Sequence, residues 1–142
     1  MEQFLSDVWW GEPDVLLLDL APGTGDMAIS VAQALPNAEL VVVTTPQPSA
    51  SDIAVRSGLV ALQVPMKVRG VVENMSYLVC PDCGKHINVF GNSHVDEVAA
   101  KHGLPVLAKC PIDPQLAALS DAGMIETYGG EYLEGAADAC EK

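Results

Sequence analysis

The run Val15-Leu16-Leu17-Leu18-Asp19-Leu20-Ala21-Pro22-Gly23-Thr24-Gly25-Asp26 constrains this chain more than any other stretch. Four apolar residues lead without a break into an aspartate, then a Pro/Gly turn, then a helical pattern. A continuous apolar run suits a strand buried on both faces, as in a parallel sheet covered by helices on either side. It predicts a strand over residues 14–18. The Asp19 carboxylate then stands at the C-terminal end of that strand, the edge at which open α/β sheets bind ligands.

An aspartate in that place, followed by a glycine whose N–H can approach an anion, suits the second half of a nucleotide-triphosphatase site. Asp19 would hold Mg²⁺, directly or through water, and Gly23 would face the terminal phosphate. The alternative is a buried strand whose closing aspartate caps the next helix.

The rest of the chain repeats the alternation. Residues 26–35 read as a mostly apolar helix closed by Pro36, with its N-terminus directly behind Gly23-Thr24-Gly25. Residues 39–45 form a second, β-branched strand stopped by Pro46 and Pro48. A helix capped by Ser49 or Ser51 runs to about Leu62, and residues 68–73 make a third strand. A helix over 95–102, a short strand over 106–108, a helix over 114–119 capped by Asp113 and a last helix over 131–140 complete the pattern. Residues 1–13 are a lead-in with one or two apolar helical turns. Strand–helix alternation implies parallel pairing through right-handed crossovers, hence a single α/β domain over 1–142.

Composition excludes several functions. A net charge of −12 with only seven Lys and Arg, scattered, argues against nucleic acid. No apolar run approaches the ~20 residues that span a bilayer, and no basic region with an apolar core opens the chain. The expectation is a cytoplasmic protein with no membrane partner. Four cysteines in a reducing compartment serve as ligands or core residues rather than disulfides.

Residues 74–91 stand apart as a long loop between the third strand and the next helix. At the centre is Cys80-Pro81-Asp82-Cys83-Gly84. Two thiolates separated by two residues can grip one metal. Proline stiffens the turn, and the glycine permits the positive φ that aims backbone N–H groups at sulfur. A thioredoxin-like redox pair wants its first cysteine at a helix N-terminus, and residues 84–90 do not read as helix. A coincidental pair of packing cysteines leaves the proline and glycine unexplained. One such motif supplies two of the four ligands that zinc or an iron–sulfur cluster normally takes. His86 and His94 are local candidates for the remainder and Cys110 a remote one. The other solution, which we favour, is a two-fold dimer giving four thiolates from two copies of Cys80 and Cys83.

These motifs fall in order: Asp19 to Asp26, then Val43-Thr44-Thr45-Pro46-Gln47, Val71-Val72-Glu73-Asn74-Met75-Ser76-Tyr77, the cysteine motif, and Phe90-Gly91. Together they resemble the C-terminal half of the Mrp/ApbC-type iron–sulfur cluster carrier ATPases, MinD-like P-loop proteins, over nearly all of the chain. The resemblance implies a homodimer through the cysteine loop that carries a labile 4Fe–4S cluster; zinc is the alternative metal for an aerobic preparation. It also implies transfer of that cluster to apo iron–sulfur proteins, and ATP and Mg²⁺ in the complete family protein. By position it gives Asp19 the Mg²⁺-side role and Gly23 the γ-phosphate side. Asn74 would read the adenine edge, and Pro111 and Asp113 would flank the base.

Two departures stand out. Ala21 replaces a second proline, a small change in turn stiffness. More seriously, no Gly-x-x-x-x-Gly-Lys-Ser/Thr occurs, since Gly84-Lys85-His86 is the sole Gly-Lys and belongs to the cysteine loop. Without that phosphate cradle the chain alone is not expected to hydrolyse ATP. In the family fold the cradle's strand lies between those ending at Asp19 and Thr45, so a gap is expected there. The competing function is a non-enzymatic module in which zinc staples a dimer.

Overall fold

Val71 and Val72 point to opposite sides of the strand on which the rest of the protein packs. The computed structural model describes residues 2–20, 25–47 and 66–141. Along the chain come α1 (Glu2–Ser6), α2 (Gly25–Ala34), β1 (Glu39–Thr44), β2 (Lys67–Glu73), and the short strands β3 (Leu78–Val79) and β4 (His86–Ile87). Then follow α3 (Val95–Lys101), β5 (Val106–Lys109), α4 (Pro114–Asp121), single 3-10 turns at Ile125–Thr127 and Glu131–Leu133, and α5 (Glu134–Glu141).

The sheet is parallel, in the order β1-β2-β5, with β2 central. Val42 lies opposite Val71, and Val43 opposite Val72, which in turn faces Ala108. Because successive residues of a strand face opposite ways, this register sorts the core into two layers. Val42 and Val71 pack with Val95 and Ala99 of α3, while Val72, Ala108 and Cys110 pack with Ala136 of α5. Helices thus cover both faces of the sheet, as the continuous apolar strands require. Val95, almost wholly buried, contributes about 1.5–3 kcal/mol by its burial. A third cluster seats Val31 and Ala32 of α2 against Met66 and Leu40.

The strands β1, β2 and β5 and the helices α2 to α5 fall where the sequence places them, within about two residues at most ends. The final helix is preceded by a 3-10 turn rather than starting at Glu131. One expectation fails. Residues 14–20 form no strand, and Val15, Leu16, Leu17 and Leu18 are exposed, Leu17 by 83%. A strand is made by its neighbours: its N–H and C=O groups need a ladder on an adjacent chain. Among the described residues this run has none, and β1 pairs only with β2. The helix expected over 49–62 lies outside the described residues.

Candidate metal centre

β3 and β4 form an antiparallel hairpin, Leu78 opposite Ile87 and Val79 opposite His86. The cysteines occupy its tip. Cys80 N–H donates to the Lys85 carbonyl at 2.9 Å, and Gly84 N–H donates to the Cys80 carbonyl at 2.9 Å. Gly84 sits at φ 69°, the left-handed conformation that glycine adopts without strain. This closes a turn over Pro81, Asp82 and Cys83. The backbone of Asp82, then that of Cys83, and a hydrogen bond with the Cys83 thiol hold the Cys80 thiol below its ordinary pKa. The turn thus favours the thiolate, the form that binds metals. Cys80 is half-buried and Cys83 exposed, so the pair is open to solvent on one side.

The other candidate ligands do not gather with this pair. The His86 ring stacks on Tyr77, centroids 4.2 Å apart and 16° from parallel. His94 Nδ1 lies 3.4 Å from Glu97 at the start of α3. Cys110 is buried with Val72 and Ala108, and burial pushes its thiol pKa up; Cys140 is half-buried on α5. Among the described residues no three His, Cys, Asp or Glu side chains gather to hold a metal ion. Among the described residues the offer is one pair of thiolates.

The hairpin is rooted at the C-terminal edge of the sheet. Asn74 N–H donates to the Thr44 carbonyl at 2.7 Å, and Cys110 N–H donates to that of Glu73 at 2.8 Å. Ser76 N–H donates to the Cys110 carbonyl at 2.8 Å, and Ile112 N–H to that of Tyr77 at 2.7 Å. Asn74, Pro111 and Asp113 are thereby brought to one edge, beside the root of the cysteine loop. Asn74 Oδ1 accepts from Met75 N–H at 2.9 Å, and Pro111 is buried. Asp113 caps α4 through Gln115 N–H, 2.8 Å, and accepts from the Tyr128 hydroxyl at 2.7 Å. That hydroxyl, before the Gln115 amide, holds the Asp113 carboxyl below its ordinary pKa, and the Tyr128 phenol is pushed up to about 12. The two side chains line an open cleft of about 180 Å³ with Gly129, Gly130 and Tyr132. Asp19 is exposed on the irregular segment after α1, and Gly23 lies outside the described residues.

One group carries no role in the sequence reading. Glu73 is fully buried, with the hydroxyls of Ser76 and Ser93 on its carboxylate. The available signal was a charge ending a run of buried valines, since a carboxylate in that place must find partners.

A family model described as the NUBPL iron-transfer P-loop NTPase, of the ParA group, matches residues 1–138. The chain belongs to this family. Relatives called iron–sulfur cluster carrier protein include one from Mycobacterium leprae, 52% identical over 130 residues, covering 87% of this chain and 34% of the relative. Another, from Saccharolobus solfataricus, is 43% identical over 124 residues, covering 87% of this chain and 42% of its own length. A solved nucleotide-binding protein from Archaeoglobus fulgidus, in complex with ADP and with cobalt found by PIXE, superimposes with a TM-score of 0.81 at 39% identity. That match covers 94% of this chain and 55% of the other. The chain therefore spans between a third and a half of the carrier proteins it matches. Among the described residues no helix is long and apolar enough to cross a membrane.

Proposed function

We propose that this chain is the cluster-binding and dimerising part of an iron–sulfur cluster carrier. Two copies join at the hairpin tips, Cys80 and Cys83 of each supplying the four thiolates of one 4Fe–4S cluster, which is then passed to apo iron–sulfur proteins. The observation that carries this reading is the pair of thiols, one half-buried and one exposed, on a turn whose amides favour thiolate, with no third ligand gathered beside it among the described residues. Soft thiolates suit iron–sulfur clusters, and an incomplete set on each chain is completed by a two-fold axis. Partial exposure suits a cargo that must leave.

Nucleotide belongs to the complete protein. There Asp19 would hold Mg²⁺ and Gly23 the γ-phosphate, while Asn74, Pro111 and Asp113 would surround the base. The likeness to a protein holding ADP, and the convergence of Asn74, Pro111 and Asp113 beside the loop root, support this part of the reading. The setting we propose is cytoplasmic.

A second reading has one observation in its favour. A thiolate turn with amide donors on sulfur is equally suited to structural zinc, which would staple a dimer without transfer. Anaerobic reconstitution with iron and sulfide separates the two. The carrier reading expects iron and acid-labile sulfide in equal amounts, a visible charge-transfer band, and loss of both on incubation with an apo iron–sulfur protein. Zinc that excludes iron and stays in place would overturn it.

A further inference from the structure

Glu73 ends β2 with its side chain wholly out of solvent, at 0% exposure. A carboxylate so placed persists only when hydrogen-bonded and paired, and apolar residues of similar size commonly serve a core at least as well. Its partners are therefore informative. Oε2 accepts from Ser76 Oγ at 2.8 Å, Oε1 accepts from Ser93 Oγ, and Lys109 Nζ stands 3.9 Å from Oε2 while also pairing with Asp96 of α3. Ser76 is where the chain leaves the sheet for the cysteine hairpin. Ser93 is where it returns, and Ser93 Oγ accepts from Val95 N–H of α3 at 3.1 Å.

The two sides of the loop are not held alike. The outgoing side has backbone hydrogen bonds of its own, Ser76 to Cys110 and Ile112 to Tyr77. On the returning side, among the described residues, no backbone hydrogen bond runs from residues 88–93 to β1, β2 or β5. The Ser93 hydroxyl on Glu73 joins that side to the sheet.

We infer that Glu73 is a positioning residue for the cysteine pair, clasping the neck of the loop through Ser76 and Ser93 and so fixing the hairpin on the sheet edge. This rests on the metal-binding reading of Cys80 and Cys83. Tying both ends of a loop shortens the segment that must be ordered when its tip takes a ligand, and that lowers the entropy binding has to overcome. Glu73 touches no metal. It acts through the two serines.

The test uses the 142-residue chain with Co²⁺ alone as probe, read by the thiolate-to-cobalt absorption band at one protein concentration. Ser93→Ala and Glu73→Gln should each weaken Co²⁺ binding about tenfold, the scale at which outer-shell support acts on metal sites. Ser76→Ala should do less, because backbone bonds remain on its side. Ser93→Thr keeps the hydroxyl and should bind as the parent does, a rescue that general loss of packing would not give. Urea unfolding identifies the variants that fold. If Glu73→Gln does not, the Ser93 pair carries the test. Folded Ser93→Ala that binds Co²⁺ like the parent overturns the clasp. Parent-like binding by the Cys80→Ser/Cys83→Ser double variant overturns the metal reading itself, and the clasp with it.

Discussion

Asp113 answers to two donors at once, the Gln115 amide on one oxygen and the Tyr128 hydroxyl on the other, and both favour its ionised form. Its folded pKa lies below the ordinary 3.8, so its contribution to stability is present above that value and fades as pH falls through the folded one. Tyr128 is the converse case. Its contribution is whole below the ordinary 10 and is lost as pH rises through about 12. The difference in urea midpoint between the parent and Tyr128→Phe should therefore be flat at neutral pH and shrink below about pH 4. In the variant the Asp113 carboxyl should titrate at higher pH by NMR. An acid-independent difference would mean that Tyr128 acts by packing alone. The cysteines divide as sharply. Cys80→Ser and Cys83→Ser should each abolish stoichiometric iron or zinc, because a hydroxyl does not replace thiolate at neutral pH. Cys110→Ser and Cys140→Ser should leave metal content unchanged, since Cys110 is packed in the core with Val72 and Ala108, Cys140 lies on α5, and neither gathers with the pair into a three-ligand group. Metal analysis of the four purified variants decides it, and loss in Cys110→Ser would mean that the site closes within one chain.

Elements were legible where the signal lies within a few neighbouring residues. The valine runs of β1 and β2 announce strands, though only β2 is buried on both faces and Val43 of β1 stays exposed, and Asp113 before Pro114 announces the start of α4. The Cys-Pro-x-Cys-Gly turn was equally local, its glycine at positive φ as expected. What escaped were features made by partners distant in sequence. Residues 15–18 carry a strand pattern, yet pairing alone turns such a pattern into a strand. Ser93 reaches Glu73 across twenty positions, and no periodicity records that. Close packing between strands is hidden in the same way. A Cβ on Gly70 would come within 2.6 Å of the Pro105 carbonyl and 2.7 Å of Leu107 Cγ, so β2 and β5 fit only while residue 70 lacks a side chain. Gly70→Ala should cost about 1–3 kcal/mol, as overpacking typically does, measured by urea unfolding at neutral pH. A parent-like midpoint would show that β5 can move aside freely.

At the scale of the whole molecule, the dimer we propose asks the metal to hold together two chains that otherwise repel. Each carries a formal charge of −12, and a shared site adds four thiolates near the axis. Association without metal should therefore be weak at low ionic strength and strengthen with salt, which screens the repulsion. With metal the balance should reverse, because in the proposed shared site the complete ligand set exists only in the dimer, and binding and assembly become one equilibrium. Light scattering with metal analysis should find about one zinc or one four-iron cluster per two chains, and chelation should return the protein toward monomer. One feature of the fold competes with this. The exposed run at Val15 to Leu18, and the β1 edge, where Val43 is 62% exposed, are apolar and unpaired in the described sheet, and such surfaces associate on their own. The Cys80→Ser/Cys83→Ser double variant at the same concentration separates the two routes. If it dimerises as strongly as the metal-loaded parent, the sheet edge drives assembly and the hairpin does not. A monomer holding one metal per chain would be decisive in the other direction, since it would end the shared site and bring His86 or His94 back as ligands.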